Sequence, residues 1–322
     1  MEDENFIIDF TEIAKTSLSY RAYGGANGVK KGIYFNKEPY MLKISNRNKK
    51  NLYTSSIISE YVCSKIFSFL DIPTQEVILG TIQDNDKEKW CVACKDFKEK
   101  GEYLYEFLSI KNSFFKENSN GSGTELSEIL ETIKEQKFCN PEEVKERFWD
   151  MFIVDSYLGN FDRHNGNWGF LVNEETGKKR IAPIYDCGSC LFAAATDDDL
   201  QSFLIDKNKI NERVFTFPTS AIKENGIKIN YYNYLTQTNN PDCLKSLEKI
   251  TKKIRTKENI INNFILNLPV SNVRKKFYIT ILKERKEKIL EYALELNKNL
   301  NLLKEGPRIK KTKKSKDNNY ER

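Results

Sequence analysis

The stretch Leu158-Gly159-Asn160-Phe161-Asp162-Arg163-His164-Asn165-Gly166-Asn167-Trp168-Gly169-Phe170-Leu171 limits the possible folds more than any other part of the chain. It holds the only histidine, an Asp and an Asn separated by four residues, and three of the fifteen glycines. Upstream, Asn140-Pro141-Glu142-Glu143 predicts a helix start, with an N-cap Asn, Pro in the first turn and a Glu three residues after the cap. That helix places Val144, Phe148, Met151, Phe152 and Asp155 along one side and ends at Gly159. Downstream, Trp168 to Val172 and Lys179 to Pro183 predict a hairpin around Asn173-Glu174-Glu175-Thr176-Gly177. The hairpin returns Ile184-Tyr185-Asp186-Cys187-Gly188 toward Asp162 and Asn167. A loop held on both sides by regular elements can keep polar side chains in fixed relation.

Two carboxylates and an amide in this order suit phosphoryl transfer from ATP. One carboxylate orients or deprotonates the attacking hydroxyl, while an Asn amide oxygen and a further carboxylate hold Mg²⁺ ions that neutralise phosphate charge. The D-x-x-x-x-N spacing alone recurs by chance, and the plain alternative is a polar turn with His164 satisfied by backbone carbonyls. The surroundings have to decide between them.

The upstream sequence supplies the remaining parts. Gly24-Gly25-Ala26-Asn27-Gly28, with Gly32 shortly after, lets a backbone approach a phosphate closely and present N–H groups to it. Ile33-Tyr34-Phe35 and Tyr40 to Ile44 predict a hairpin turning at Asn36-Lys37-Glu38-Pro39. Lys43 shares a strand face with Met41, and a charge on a half-buried strand needs an anionic partner: a carboxylate and the ATP phosphates, unless it sits on a solvated edge. From Leu52 to Leu70 apolar residues recur at helical spacing, with Glu60 at the border of that face in the order required for a Lys–Glu pair. Strands at Thr74 to Ile82 and Lys89 to Cys94 complete an antiparallel small lobe. Lys95-Asp96-Phe97 then leaves the sheet at the position of a hinge whose backbone can hold adenine. The rest is mostly helical, with helices near 241–254 and 256–267 and a long one from about 271 to 303.

Composition narrows the setting. A chain of 322 residues with 39% hydrophobic and 12% aromatic content can fill a core of two subdomains sharing a cleft. No apolar run is long enough to span a membrane, and the acidic start Met1-Glu2-Asp3-Glu4 is unlike a secretory signal; the expectation is a cytoplasmic protein. The net charge of +6 arises mostly in the tail, where Lys304 to Arg322 carries eight Lys/Arg against three Asp/Glu. A solvated end is the plain reading, an acidic partner the functional one. Seven cysteines in apolar segments suit a reducing compartment. The pairs Cys91/Cys94 and Cys187/Cys190 are poor zinc ligands, because an odd separation in a strand points Cys91 and Cys94 to opposite faces.

In this order the residues resemble the protein-kinase-like fold, an α+β architecture with a small antiparallel β-rich lobe over residues 1–97, a larger helical lobe over 98–304 and a basic tail at 305–322. The wording G-N-x-D-R-H-x-x-N-W-G-x-L followed by P-I-Y-D-x-G is similar to the HipA-type bacterial serine/threonine kinases, over roughly residues 15–300. The resemblance implies Mg²⁺-dependent transfer of the ATP γ-phosphate to Ser or Thr of a protein substrate. It implies Asp162 as base, Asn167 and Asp186 as metal ligands and Lys43 on the phosphates, with His164 shaping the loop or touching the phosphates. It also implies autophosphorylation near the Gly-rich turn, for which Ser17 and Ser19 are candidates. HipA toxins carry a further N-terminal region that the residues ahead of Gly24 are too few to form, so no antitoxin or nucleic-acid partner is expected; similarity to a cell-translocating branch implies action in a host cell.

Two other readings stay open at this point. Asp-Arg-His-x-x-Asn is shared with phosphoinositide kinases, and a basic tail can meet anionic lipid. A nucleotide-binding pseudokinase is the other, although such proteins commonly lack one of the four polar residues retained here.

Overall fold

The computed structural model describes residues 7–19, 29–45, 56–84, 87–115 and 123–305. Five strands, β1 (Ile8–Asp9), β2 (Val29–Phe35), β3 (Glu38–Ile44), β4 (Val77–Asp84) and β5 (Lys87–Lys95), form a sheet in the order β1-β4-β5-β3-β2. β2 and β3 meet at Asn36 and Lys37, both with φ near +50 to +66°, as a two-residue hairpin turn matched to strand twist requires. Along β3, Tyr40, Leu42 and Ile44 pack outward with Phe10, Ile33, Cys91 and Ala93. Alternation turns Met41 and Lys43 to the other face. The same parity separates Cys91, in that outer cluster, from Cys94, in the main core. The small lobe is not wholly antiparallel: β1, at the edge of the sheet, pairs β4 in parallel through Ile8 and Gly80, and the single helical turn α1 (Ile13–Thr16) follows it.

Under this sheet lies α2 (Ser56–Phe69). Ile58, Val62, Ile66 and Phe67 pack with Val77, Leu79, Val92 and Cys94, and Glu60 is carried into the interior with them. Beyond β5 the chain forms β6 (Glu102–Glu106), α3 (Phe107–Phe114), α4 (Leu126–Glu135) and α5 (Pro141–Leu158). β7 (Gly169–Asn173) and β8 (Lys179–Ile181) are the expected hairpin, but they belong to a three-stranded sheet, β6-β7-β8. Strand β6 departs from the expected helical run after Gly101; its pairing partner β7 lies more than sixty residues away.

The helical part continues through α6 (Asp197–Ile205), α7 (Lys207–Phe215), the ribbon β9 (Lys223–Glu224) and β10 (Ile227–Lys228), and α8 (Tyr231–Gln237). The two helices expected around 241–267 are one, α9 (Pro241–Leu266), because Leu247, Ile250, Ile254, Ile261 and Ile265 keep a single face on the core through the polar middle. The long helix is real but interrupted. α10 (Asn272–Arg285) and α11 (Tyr292–Glu305) are joined by a π-helical turn over Lys286–Glu291.

All seven cysteines are free; six are buried and Cys139 is partly exposed. Burial pushes the Cys91 and Cys94 thiols up to about 12 and raises those of Cys187 and Cys190 well above the ordinary thiol range. Thiolate is the reactive form, so the native protein should react with a disulfide reagent at about one thiol, slowly, and at all seven in denaturant. Rapid reaction of two or more native thiols would contradict this packing.

Candidate active site

Helix α5 sets the site. Its start is capped by the Asn140 side chain, which accepts from the N–H groups of Glu142 and Glu143, and its last three turns are buried. It stops at Gly159, whose φ of +67° and whose contact with Pro218, 2.9 Å from where a Cβ would stand, leave no place for a side chain. Behind this end, Arg285 donates from Nε to the Ser156 carbonyl (2.8 Å) and from Nη1 to the carbonyls of Arg213 (2.8 Å) and Val214 (3.3 Å). One fully buried cation thus caps the C-termini of α5 and α7, where helix dipoles favour positive charge. Burial lowers the Arg285 pKa to about 10, which leaves it charged at neutral pH.

A buried ion pair organises the loop itself. Asp155 accepts from Arg163 Nε at 3.0 Å and from Asn160 Nδ2 at 2.8 Å. Arg163 Nη1 then donates to the carbonyls of Asn167 (3.1 Å) and Tyr185 (2.5 Å), joining the Asp162 loop to the Asp186 loop. Burial opposes the Arg163 charge, but Asp155 outweighs it and raises its pKa further. Sequence reasoning named neither residue as functional. The available signal was an Asp near the end of a buried helix followed eight positions later by an Arg inside the loop.

Asp162, partly exposed, has its backbone fixed from both sides: its N–H donates to Asn160 Oδ1 (3.0 Å), and its carbonyl accepts from the His164 N–H and from Asn167 Nδ2, both at 2.8 Å. With Nδ2 committed there, Asn167 Oδ1 has no partner among the described residues. His164 is exposed, and its Nδ1 accepts from the Gly166 N–H at 3.1 Å, so the neutral ring carries its proton on Nε2. It shapes the loop and keeps one donor to offer.

Asp186 stands at φ +56°, in the left-handed region that Asp tolerates better than most residues. Its Oδ1 lies 3.1 Å from Lys43 Nζ, and Glu60 Oε2 lies 2.8 Å from the same nitrogen. The other Glu60 oxygen accepts the Cys187 N–H at 3.0 Å, so one buried carboxylate grips both the lysine and the Asp186 turn. Gly188 lies close beside this grip: a Cβ there would stand a tight 3.3 Å from Glu60 Oε2 and at ordinary contact, 3.4 Å, from the Ser56 carbonyl. Burial works against the Lys43 ammonium, but Glu60 and Asp186 raise its pKa well above the lysine norm. Lys43 in turn holds the Asp186 carboxyl below its usual range, against burial. Asp186 Oδ2 and Asn167 Oδ1 are hard oxygen donors from adjoining loops, and that donor set suits Mg²⁺.

At the hinge most backbone groups are already engaged. The Lys95 N–H donates to the Glu76 carbonyl, the Lys95 carbonyl accepts from Gln75 Nε2, and the Asp96 N–H donates to the Pro39 carbonyl, each at 2.9 Å. Arg180 forks onto Glu102 (2.8 and 2.6 Å) and donates to the Phe97 carbonyl at 2.9 Å. The Phe97 N–H has no partner among the described residues, which narrows the three-residue expectation to one donor. Ser17 and Ser19 flank Leu18, which bridges to Ile33; the Ser19 N–H donates to the Gly32 carbonyl and the Ser17 carbonyl accepts from Tyr34, so both edge β2. Gly24, Gly25, Ala26, Asn27 and Gly28 lie outside the described residues, as does the tail from Gly306.

Known proteins resemble the chain in sequence and in fold. The serine/threonine-protein kinase CtkA of Helicobacter pylori strain J99 is 44% identical over 278 residues, 85% of this chain and 84% of that protein. The crystal structure of a Helicobacter pylori proinflammatory kinase CtkA superposes with a TM-score of 0.82 at 40% identity, covering 92% of this chain and all of that one. HipA of Shewanella oneidensis MR-1, solved with HipB and operator DNA, shares the fold with a TM-score of 0.54 at 14% identity, over 88% of this chain and 70% of that one. No helix among the described residues is long and apolar enough to cross a membrane. The family description that matches residues 14–261 is the HipA-like C-terminal domain, and the chain belongs to that family.

Proposed function

We propose that the chain is a serine/threonine protein kinase that transfers the γ-phosphoryl group of ATP to a hydroxyl of a protein substrate. The observation that carries this reading is the convergence of Lys43, Glu60 and Asp186 beside a loop that presents Asp162 and Asn167. Lys43 neutralises phosphate charge while Glu60 keeps it extended from β3. Asp162 receives the acceptor hydroxyl, orients its oxygen toward the γ-phosphorus and takes its proton. The Phe97 N–H reads the adenine edge, and Gly24, Gly25, Ala26, Asn27 and Gly28, outside the described residues, are proposed as phosphate-binding from their sequence. Asn167 and Asp186 would hold Mg²⁺, which when bound offsets charge on the phosphate oxygens. His164 keeps the loop in shape through the Gly166 N–H. Ser17 and Ser19, which flank the isolated bridge from Leu18 to Ile33, are the proposed autophosphorylation sites, and the basic tail is offered to an acidic partner. The lobe division falls after Phe97. Likeness to a kinase described as proinflammatory supports a host protein as target.

Incubation with γ-labelled ATP, Mg²⁺ and a basic protein acceptor, beside an Asp162→Asn control, tests the reading. Label on Ser or Thr that the control lacks is the expected result. Wild-type protein that binds ATP yet labels no protein would sink it.

A further inference from the structure

We propose that Ser189 is a positioning residue for phosphoryl transfer, its hydroxyl holding the Asp162 carboxylate so that the other carboxylate oxygen faces the acceptor; this rests on the kinase reading above. Ser189 Oγ donates to Asp162 Oδ2 at 3.3 Å, and among the described residues it is the one group that bonds this carboxylate. The Asp162 main chain is fixed by Asn160, His164 and Asn167, but those contacts leave its side-chain torsions free. The Ser189 hydrogen bond limits them.

Ser189 is itself held from both sides. Two residues before it, the Cys187 N–H donates to Glu60; two residues after it, the Leu191 N–H donates to the Leu158 carbonyl at 3.0 Å. Cys190 is fully buried, and Leu191 and Phe192 stand at φ +49° and +56°, which bulky residues adopt only where the surroundings impose it. A serine anchored in this way is a fixed donor rather than a mobile acceptor. In the transfer step the acceptor oxygen bonds to the γ-phosphorus, the bond from that phosphorus to the ADP oxygen breaks, and the acceptor proton passes to Asp162 Oδ1. The Ser189 proton stays where it is. Because one short segment carries both Asp186 and Ser189, the grip of Glu60 on Cys187 aligns the metal-binding carboxylate and the base together.

Steady-state kinetics of Ser189→Ala and Ser189→Thr with a protein acceptor, together with melting curves with and without ATP, test the proposal. Ser189→Ala is expected to lower kcat by roughly ten- to a hundredfold, the range for one hydrogen bond to a charged group, with KM for ATP and the ATP-induced melting shift unchanged. Ser189→Thr, which keeps the hydroxyl, should restore most of the rate. A wild-type kcat in Ser189→Ala would overturn the proposal, as would a loss in both variants that follows their melting temperatures. Absence of transfer in the wild type would fail the kinase reading itself, a separate outcome.

Discussion

Asp186→Asn should lower phosphoryl transfer by roughly a hundred- to a thousandfold or more, the scale seen when one preorganised charge-stabilising group is lost. Asn is the informative replacement because it keeps the volume and tolerates the left-handed backbone at φ +56°, where Ala would add strain. Lys43 loses one carboxylate but retains Glu60 at 2.8 Å, and Glu60 still holds the Cys187 N–H at 3.0 Å. The fold should therefore melt close to the wild-type temperature while the reaction is nearly lost. Rate measurement at saturating ATP and Mg²⁺, beside a melting curve, checks both halves. A variant with most of its activity would remove Asp186 from the proposed metal site.

Asp155→Ala should act in the opposite proportion, with its first effect on stability. It strands the Arg163 guanidinium in the core, where breaking a buried pair costs about 3–5 kcal/mol. In a chain of 322 residues that corresponds to a fall in Tm of roughly 4–7 °C, at about 2.1 cal/mol/K of unfolding entropy per residue. The double change Asp155→Leu with Arg163→Met should recover much of the stability, since a buried pair can often be replaced by apolar side chains of similar volume. It should not recover activity, because the Arg163 bonds to the carbonyls of Asn167 and Tyr185 hold the two loops together. Equal recovery of both properties would reduce the pair to a packing element.

Lys43, Asp162, Asn167 and Asp186 were legible in the sequence because each lies within a few residues of a recognisable turn or strand. Glu60 was legible through order alone, as a carboxylate on the helix that follows the lysine strand. Asp155, Arg163 and Ser189 were not. Each acts across a distance that only the folded chain closes, and Arg163 spends its donors on backbone carbonyls, which leave no trace in a list of side chains. Strand β6 was missed for a related reason: Glu102 to Glu106 has no clean alternation of its own and is defined by pairing with Gly169 to Asn173. The polar middle of α9, Thr251-Lys252-Lys253-Ile254-Arg255-Thr256, suggested a break, yet Ile254 alone keeps the apolar stripe continuous there. The backbone groups of Lys95 to Phe97 were expected to act together, but which of them are engaged depends on Gln75, Glu76, Pro39 and Arg180.

Among the described residues the counter-charge of Arg285 is peptide backbone at two helix ends, with no carboxylate involved, and the arginine side chain itself is buried. Dissolved ions screen charges that solvent can reach, over about 8 Å at physiological strength, and screen buried ones much less. The contacts that catch a nucleotide in an open cleft belong to the first kind. The support beneath the Asp162 loop belongs to the second. As salt rises, the protein should therefore lose its hold on ATP long before the loop that uses ATP begins to loosen. Titration of activity with sodium chloride would then be followed by rising KM at constant kcat, a separation of grip from chemistry that one arginine builds into the scaffold.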